Sequence, residues 1–120
     1  NWEDWLAFFL RGVTEVSTQA MQTASAILRM REDYRNSITE KLGRASGNGH
    51  RILEKLFNHP IVTVATVRNW LDITPAGANQ LVNRLVDVGV LSEMTGYARN
   101  RRFRFEPYLR LFEESEGEKT

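Results

Sequence analysis

A mainly α fold with a small β-hairpin, a winged helix-turn-helix preceded by a long N-terminal helix, is the architecture this sequence predicts. Residues 2 to about 42 hold no proline and a single glycine, Gly12, and their apolar positions recur three and four apart. Three short apolar-periodic segments follow, and only Asp72 to Thr74 separate the second from the third, the spacing of a helix-turn-helix. Two alternating stretches, "VLSEM" and "RRFRFEP", then flank a turn at "TGYARN". Helix, helix, helix, hairpin is the order of a winged helix.

The long segment, residues 1–44, winds Trp2, Trp5, Leu6, Phe9 and Val13 onto one stripe, which Val16, Ala20, Ala24, Ile27 and Leu28 continue, with Phe8 and Leu10 on its flanks. An apolar arc this wide implies partners on both sides, so Trp2, Trp5, Leu6, Phe8, Phe9 and Val13 are candidate interface residues. Whether the helix is continuous at Gly12 is open. Residues 45–51, in "GRASGNGHR", read as a linker rich in glycine and cap formers. Its "GNG" lacks the preceding strand and the spaced lysine that a phosphate loop needs.

Residues 52–114 are the expected winged-helix domain. Ile52, Leu53, Leu56 and Phe57 share a face, and Pro60 stops that helix. Thr63 is placed to cap the second helix, with Val64, Val67 and Leu71 inward and Trp70 alongside. Thr74 is placed to cap the third, Pro75 suits its first position, and Gly89 stands where a left-handed cap belongs. On the hairpin, Gly96 and Asn100 suit unusual backbone angles, and alternation puts Phe103 and Phe105 on one face and Arg102 and Arg104 on the other. "YLRLFEE" can close the domain with a helical turn or two. Residues 115–120 are polar and read as a disordered tail.

Composition removes several function classes. The chain has 120 residues, enough for one modest core, and no cysteine, which excludes disulfide and thiolate chemistry. His50 and His59 have no acid pair at metal-ligand spacing, and no serine shows a base-and-orienter arrangement. No apolar run approaches the roughly 18 residues of a membrane helix and no signal-peptide pattern opens the chain, so no membrane partner and a cytoplasmic location are expected. The net charge of +1 hides an uneven distribution. From Pro60 to Phe112 seven arginines face four acids, and the tail then adds four glutamates.

On the third helix, a buried stripe of Ala78, Leu81, Val82 and Leu85 would turn Pro75, Ala76, Asn79, Gln80 and Asn83 outward. Asn79, Gln80 and Asn83 are candidate nucleic-acid contacts, because carboxamides bond bidentately to adenine. A plain solvated face explains the same pattern, and both readings stay open. On the hairpin, Arg99, Arg102 and Arg104 are candidate phosphate contacts and Tyr97 a candidate sugar or minor-groove contact. Arg101 shares the parity of the phenylalanines, so its stem is expected against the core edge. Double-stranded DNA is the candidate partner; arginines meeting acids of a partner protein are the alternative.

"WLAFFLRGV" at 5 to 13, the helix through "ILRMREDYR", and "HPIVTVATVRNWLDITPAGANQLVNRLVDVGVLSEMTG" at 59 to 96 together resemble the C-terminal region of Fic family proteins. The "WLxFFLxGV" block looks like the last helix of the family's catalytic core. The second pattern, "TxxxANxLVxxLxxxGxL", falls on Thr74, Ala78, Asn79, Leu81, Val82, Leu85, Gly89 and Leu91 and is shared loosely with transcriptional regulators. The family's signature is a histidine, proline and phenylalanine, then an acid, Gly-Asn-Gly-Arg and a further arginine. Here Gly47, Asn48 and Gly49 are followed by His50 where that arginine belongs. Gly43 and Arg44 occupy the region of the histidine and phenylalanine, and the stretch follows the "WLxFFLxGV" block where the family's precedes it. No catalytic residue and no cofactor are therefore carried over.

The chain opens on Asn1 at full hydrophobic strength, as an excised segment does. The resemblance implies a parent that transfers AMP from ATP to a protein hydroxyl, with its motif upstream. This segment is then a non-catalytic module for nucleic-acid binding, target recruitment or assembly, its first helix packed on the upstream catalytic domain or on a second copy. A dimeric winged-helix regulator and a protein adaptor that binds no DNA are the alternatives.

Overall fold

A computed structural model of the chain describes residues 1–94 and 99–118, with side chains described as far as residue 113. It is mainly helical, with a small three-stranded antiparallel sheet. Two compact units divide it, Asn1–Met30 and Arg31–Thr120.

Helix α1 runs Trp2–Leu42 without a break at Gly12, which settles its continuity. In the first unit, a glycine interrupts neither the hydrogen-bond ladder nor any packing, since nothing lies within 4 Å of where its Cβ would be. In the second unit the core begins with Ile38 and Leu42, both buried.

A 3-10 turn at Gly43–Ala45 leads directly into α2, Ser46–Leu56. The stretch 45–51 is thus helical from Ser46 onward, where the sequence reading has a linker. The reason is tertiary. Gly49 is buried, and a Cβ there would meet Ile38 Cγ2 and Leu42 Cδ2 at 2.8 Å each, so the glycine is what lets α2 approach the end of α1. Beside this contact Arg31 binds Glu54 through two hydrogen bonds of 2.9 and 2.6 Å, and Arg35 adds one of 3.2 Å. Ile52, Leu53 and Leu56 complete the buried face of α2, with Phe57 half-buried just past its end.

Helices α3, Val64–Leu71, and α4, Pro75–Val88, have the boundaries their caps dictate. Thr63 Oγ1 accepts from the Thr66 N–H at 3.2 Å, and Thr74 Oγ1 from the Gly77 N–H at 3.0 Å. Asp72 closes α3 with φ 52°, a left-handed angle that Asp tolerates better than most residues, and Gly89 closes α4 with φ 93°. All four residues of the expected α4 stripe, Ala78, Leu81, Val82 and Leu85, are buried, as are Val67 and Leu71 of α3.

Strands β1, Ile61–Thr63, β2, Leu91–Glu93, and β3, Arg102–Phe105, form the sheet in the order β1-β3-β2. The hairpin strands lie where alternation places them, and Asn100 has the expected positive φ, 52°. Phe103 and Phe105 face the core. Strand β1 carries no period of its own over three residues. It exists through pairing with β3, Val62 opposite Phe103, and through the Phe105 N–H donating to Pro60 O at 2.7 Å. Helix α5, Glu106–Glu118, closes the fold and continues well past residue 115, where the sequence reading has a disordered tail.

Candidate nucleic-acid interface

The exposed side of α4 is polar and neutral. Thr74, Pro75 and Ala76 at its start are exposed, and Asn79, Gln80 and Asn83 lie exposed on one face above the buried stripe. Positions 79, 80 and 83 share that face because a helix returns every three to four residues, so burying 78, 81, 82 and 85 leaves them outward. The Thr74 cap and the ring of Pro75 hold the first turn in place, which gives the three carboxamides a rigid base.

The hairpin arginines differ from one another. Arg99 is exposed beside Asn100. Arg102 is exposed and has an interaction of its own. Arg104 is half-buried, with Nε 2.8 Å from Glu106 Oε2 and Nη2 2.8 Å from Glu113 Oε1. The Glu106 contact is an ion pair by distance, without the alignment of a hydrogen bond. The hydrogen bond that Arg104 donates to Glu113, then the two carboxylates' field, hold the Arg104 guanidinium above its ordinary pKa. Arg104, a candidate phosphate contact by sequence, is thus held to two glutamates of its own fold. The cause is α5, which starts directly after β3 and brings both acids to it. Tyr97 lies outside the described residues.

Arg101 lies along the core edge, its guanidinium carbon 5.3 Å from the Phe103 ring centroid, and its Nε and Nη2 each bond Glu93 at 2.6 Å. This fork clips β2 to the segment before β3. The hydrogen bonds from Arg101 lower the Glu93 carboxyl below its ordinary value. A carboxyl depressed in the fold favours the folded state above the ordinary carboxylate range, and that contribution disappears as pH falls through its folded value. In an NMR pH titration Glu93 is expected to titrate below a normal glutamate, and to return toward normal in Arg101→Gln. A normal value in the unchanged protein would show that the clip is not populated in solution.

A second set of cations escaped the sequence reading. Arg44, Arg68 and Arg84 line an open cleft of about 770 Å³ at the start of α4, with Asn48, Asp72 and Thr74 among its other walls. None of the three arginines is ion-paired to a carboxylate among the described residues. Residues from four elements meet here, so no local spacing marks the cluster.

The apolar face of the Asn1–Met30 unit is a separate feature. Trp2, Trp5, Leu6, Phe8, Phe9 and Val13 are all exposed, Phe8 at 73%. The Trp2 and Trp5 rings stack at 5.4 Å and Trp5 and Phe9 at 5.5 Å, so the aromatics form one continuous surface. Among the described residues no three His, Cys, Asp or Glu side chains group as metal ligands, and no helix is long and apolar enough to cross a membrane. His50, assigned to a linker by sequence, is a helix residue whose Nε2 lies 2.9 Å from Thr39 Oγ1.

These features define a small helical protein with a three-stranded sheet, a polar helix face flanked by arginines that have no carboxylate partner among the described residues, and an exposed aromatic surface. The chain matches no model of a known protein family and no curated protein.

Proposed function

We propose that residues 52–114 are a winged-helix module that binds duplex DNA through α4. We further propose that the chain is the non-catalytic C-terminal part of a Fic-type AMP-transferase, whose ATP-using motif lies upstream. The observation that carries the DNA reading is the capped, rigid start of α4 with Asn79, Gln80 and Asn83 exposed on one face. Neutral carboxamides there suit adenine edges in a major groove, and the hairpin after α4 is the wing. The resemblance of residues 5–13 and 59–96 supports the Fic assignment.

Fluorescence anisotropy with labelled duplexes selected from a randomised pool tests the DNA reading. Binding is expected to weaken steeply with salt, as phosphate contacts release counterions. Asn79→Ala with Asn83→Ala is expected to reduce discrimination between selected and random duplex by about tenfold or more per lost bidentate pair. No binding above background at low salt sinks the reading. Incubated with ATP and candidate targets, these 120 residues are expected to transfer no AMP; detectable transfer overturns the non-catalytic assignment.

The aromatic face favours a second reading, a dimeric regulator in which Trp2, Trp5, Phe8 and Phe9 pair across a two-fold axis. Light scattering separates the two: a concentration-dependent dimer abolished by Trp5→Ala with Phe9→Ala supports the regulator, and a monomer supports the accessory module.

A further inference from the structure

We propose that the cleft at the start of α4 is a phosphate clamp. In it Arg44, Arg68 and Arg84 grip the phosphodiester backbone of the duplex whose bases α4 faces. The inference rests on the DNA reading above and moves the main electrostatic contact from the hairpin to a site that sequence spacing does not reveal.

Four observations carry it. The first is charge: three guanidiniums and one carboxylate, Asp72, line the cleft, so its potential is positive. The second is availability. Arg101 and Arg104 of the hairpin are held by glutamates at 2.6 to 2.8 Å, whereas Arg44, Arg68 and Arg84 have no carboxylate partner among the described residues. Cations already neutralised inside the fold release few counterions on binding; unpaired ones release theirs.

The third is preorganisation. Arg84 donates one N–H from Nη2 to Lys41 O at 3.0 Å, capping a carbonyl in the last turn of α1. That bond orients the guanidinium while most of its five N–H donors remain for an anion. The fourth is continuity with the base-reading face. Gln80 lines the cleft and is also exposed beside Asn79 and Asn83, so an anion held in the cleft lies next to the residues placed to read bases. The volume, about 770 Å³, exceeds one phosphate and suits a short stretch of sugar-phosphate backbone. It also falls in the range of small-ligand pockets, so a free nucleotide or pyrophosphate is the competing source of the same chemistry.

The test uses the double variant Arg44→Gln, Arg68→Gln. Both side chains are exposed and hold no helix together, and Arg84 is left intact because it caps α1. The control, Arg29→Gln with Arg51→Gln, removes the same charge elsewhere. Duplex affinity is measured from about 50 to 200 mM salt. Loss of two phosphate contacts is expected to flatten the log–log salt slope by about 1.8, so affinity changes about tenfold less across that range. The control slope is expected to stay as in the unchanged protein.

If the unchanged protein binds duplex and the double variant keeps its full slope, the clamp is overturned while the DNA reading stands. If the unchanged protein binds no duplex, both fall. In a parallel titration, pyrophosphate bound through Arg44 and Arg68 without duplex binding would overturn the clamp in favour of a small-anion site.

Discussion

Replacing Phe105 by alanine is expected to cost about 3–5 kcal/mol of unfolding free energy, the range for emptying a buried aromatic site. Phe105 is fully buried at the end of the central strand. Its ring stacks on Tyr108 at 5.6 Å and meets Phe57 edge-on at 5.1 Å and Tyr34 at 6.2 Å. One substitution therefore removes the ring that α1, α5 and the end of α2 share. Small domains have about 5–15 kcal/mol in total, so the loss takes roughly a fifth or more of it. Urea denaturation reads it directly. Phe112→Ala, at the exposed margin of the same cluster, is expected to cost much less, because Phe112 is 41% exposed. Equal losses for the two would show that the cluster, as described, is not the centre of the core.

Gly49→Val is expected to destabilise by about 1–3 kcal/mol through overpacking. Opposing terms decide the sign. Removing a glycine from a helix interior gains up to about 1 kcal/mol of propensity. Against it, any Cβ at residue 49 meets Ile38 and Leu42 at 2.8 Å, closer than carbon atoms tolerate. Leu42 Cδ2 ends a flexible side chain and can give way, but Ile38 Cγ2 sits on a β-branched carbon and moves only with its backbone. Gly49→Ala is expected to be mildly destabilising and the valine clearly so. Gly47→Ala provides the contrast: nothing lies within 4 Å of its Cβ position, so it is expected to be neutral or stabilising. Thermal melts of the three variants decide the matter, and a stabilised Gly49→Val would overturn the close packing of α2 on the end of α1.

The same glycine explains why part of the fold was hard to read from sequence. "GRASGNGHR" has the composition of a linker, and by propensity it is one. It becomes helical because Gly49 provides clearance and the bonds from Arg31 and Arg35 to Glu54 lie one turn further along α2. Strand β1 was invisible for a related reason, since three residues carry no period and its order comes from β3. The four arginines of the hairpin look equivalent in sequence. Arg101 and Arg104 separate from the rest only once Glu93, Glu106 and Glu113 are brought beside them.

Local signals in the chain are enough to fix the helical state of the first segment, though not its continuity at Gly12, the boundaries of α3 and α4, the hairpin strands and the buried stripe of α4. Each of those is a local matter: a cap satisfies its own first turn, a left-handed glycine ends its own helix, and a repeat of 3.6 or 2 sorts one element's faces. Tertiary structure alone decided the helical state of residues 46–51, the third strand, the capture of Arg104 by two glutamates, and the meeting of Arg44, Arg68 and Arg84 around one cleft. Those depend on contacts between residues far apart in the chain, which no local period or spacing encodes.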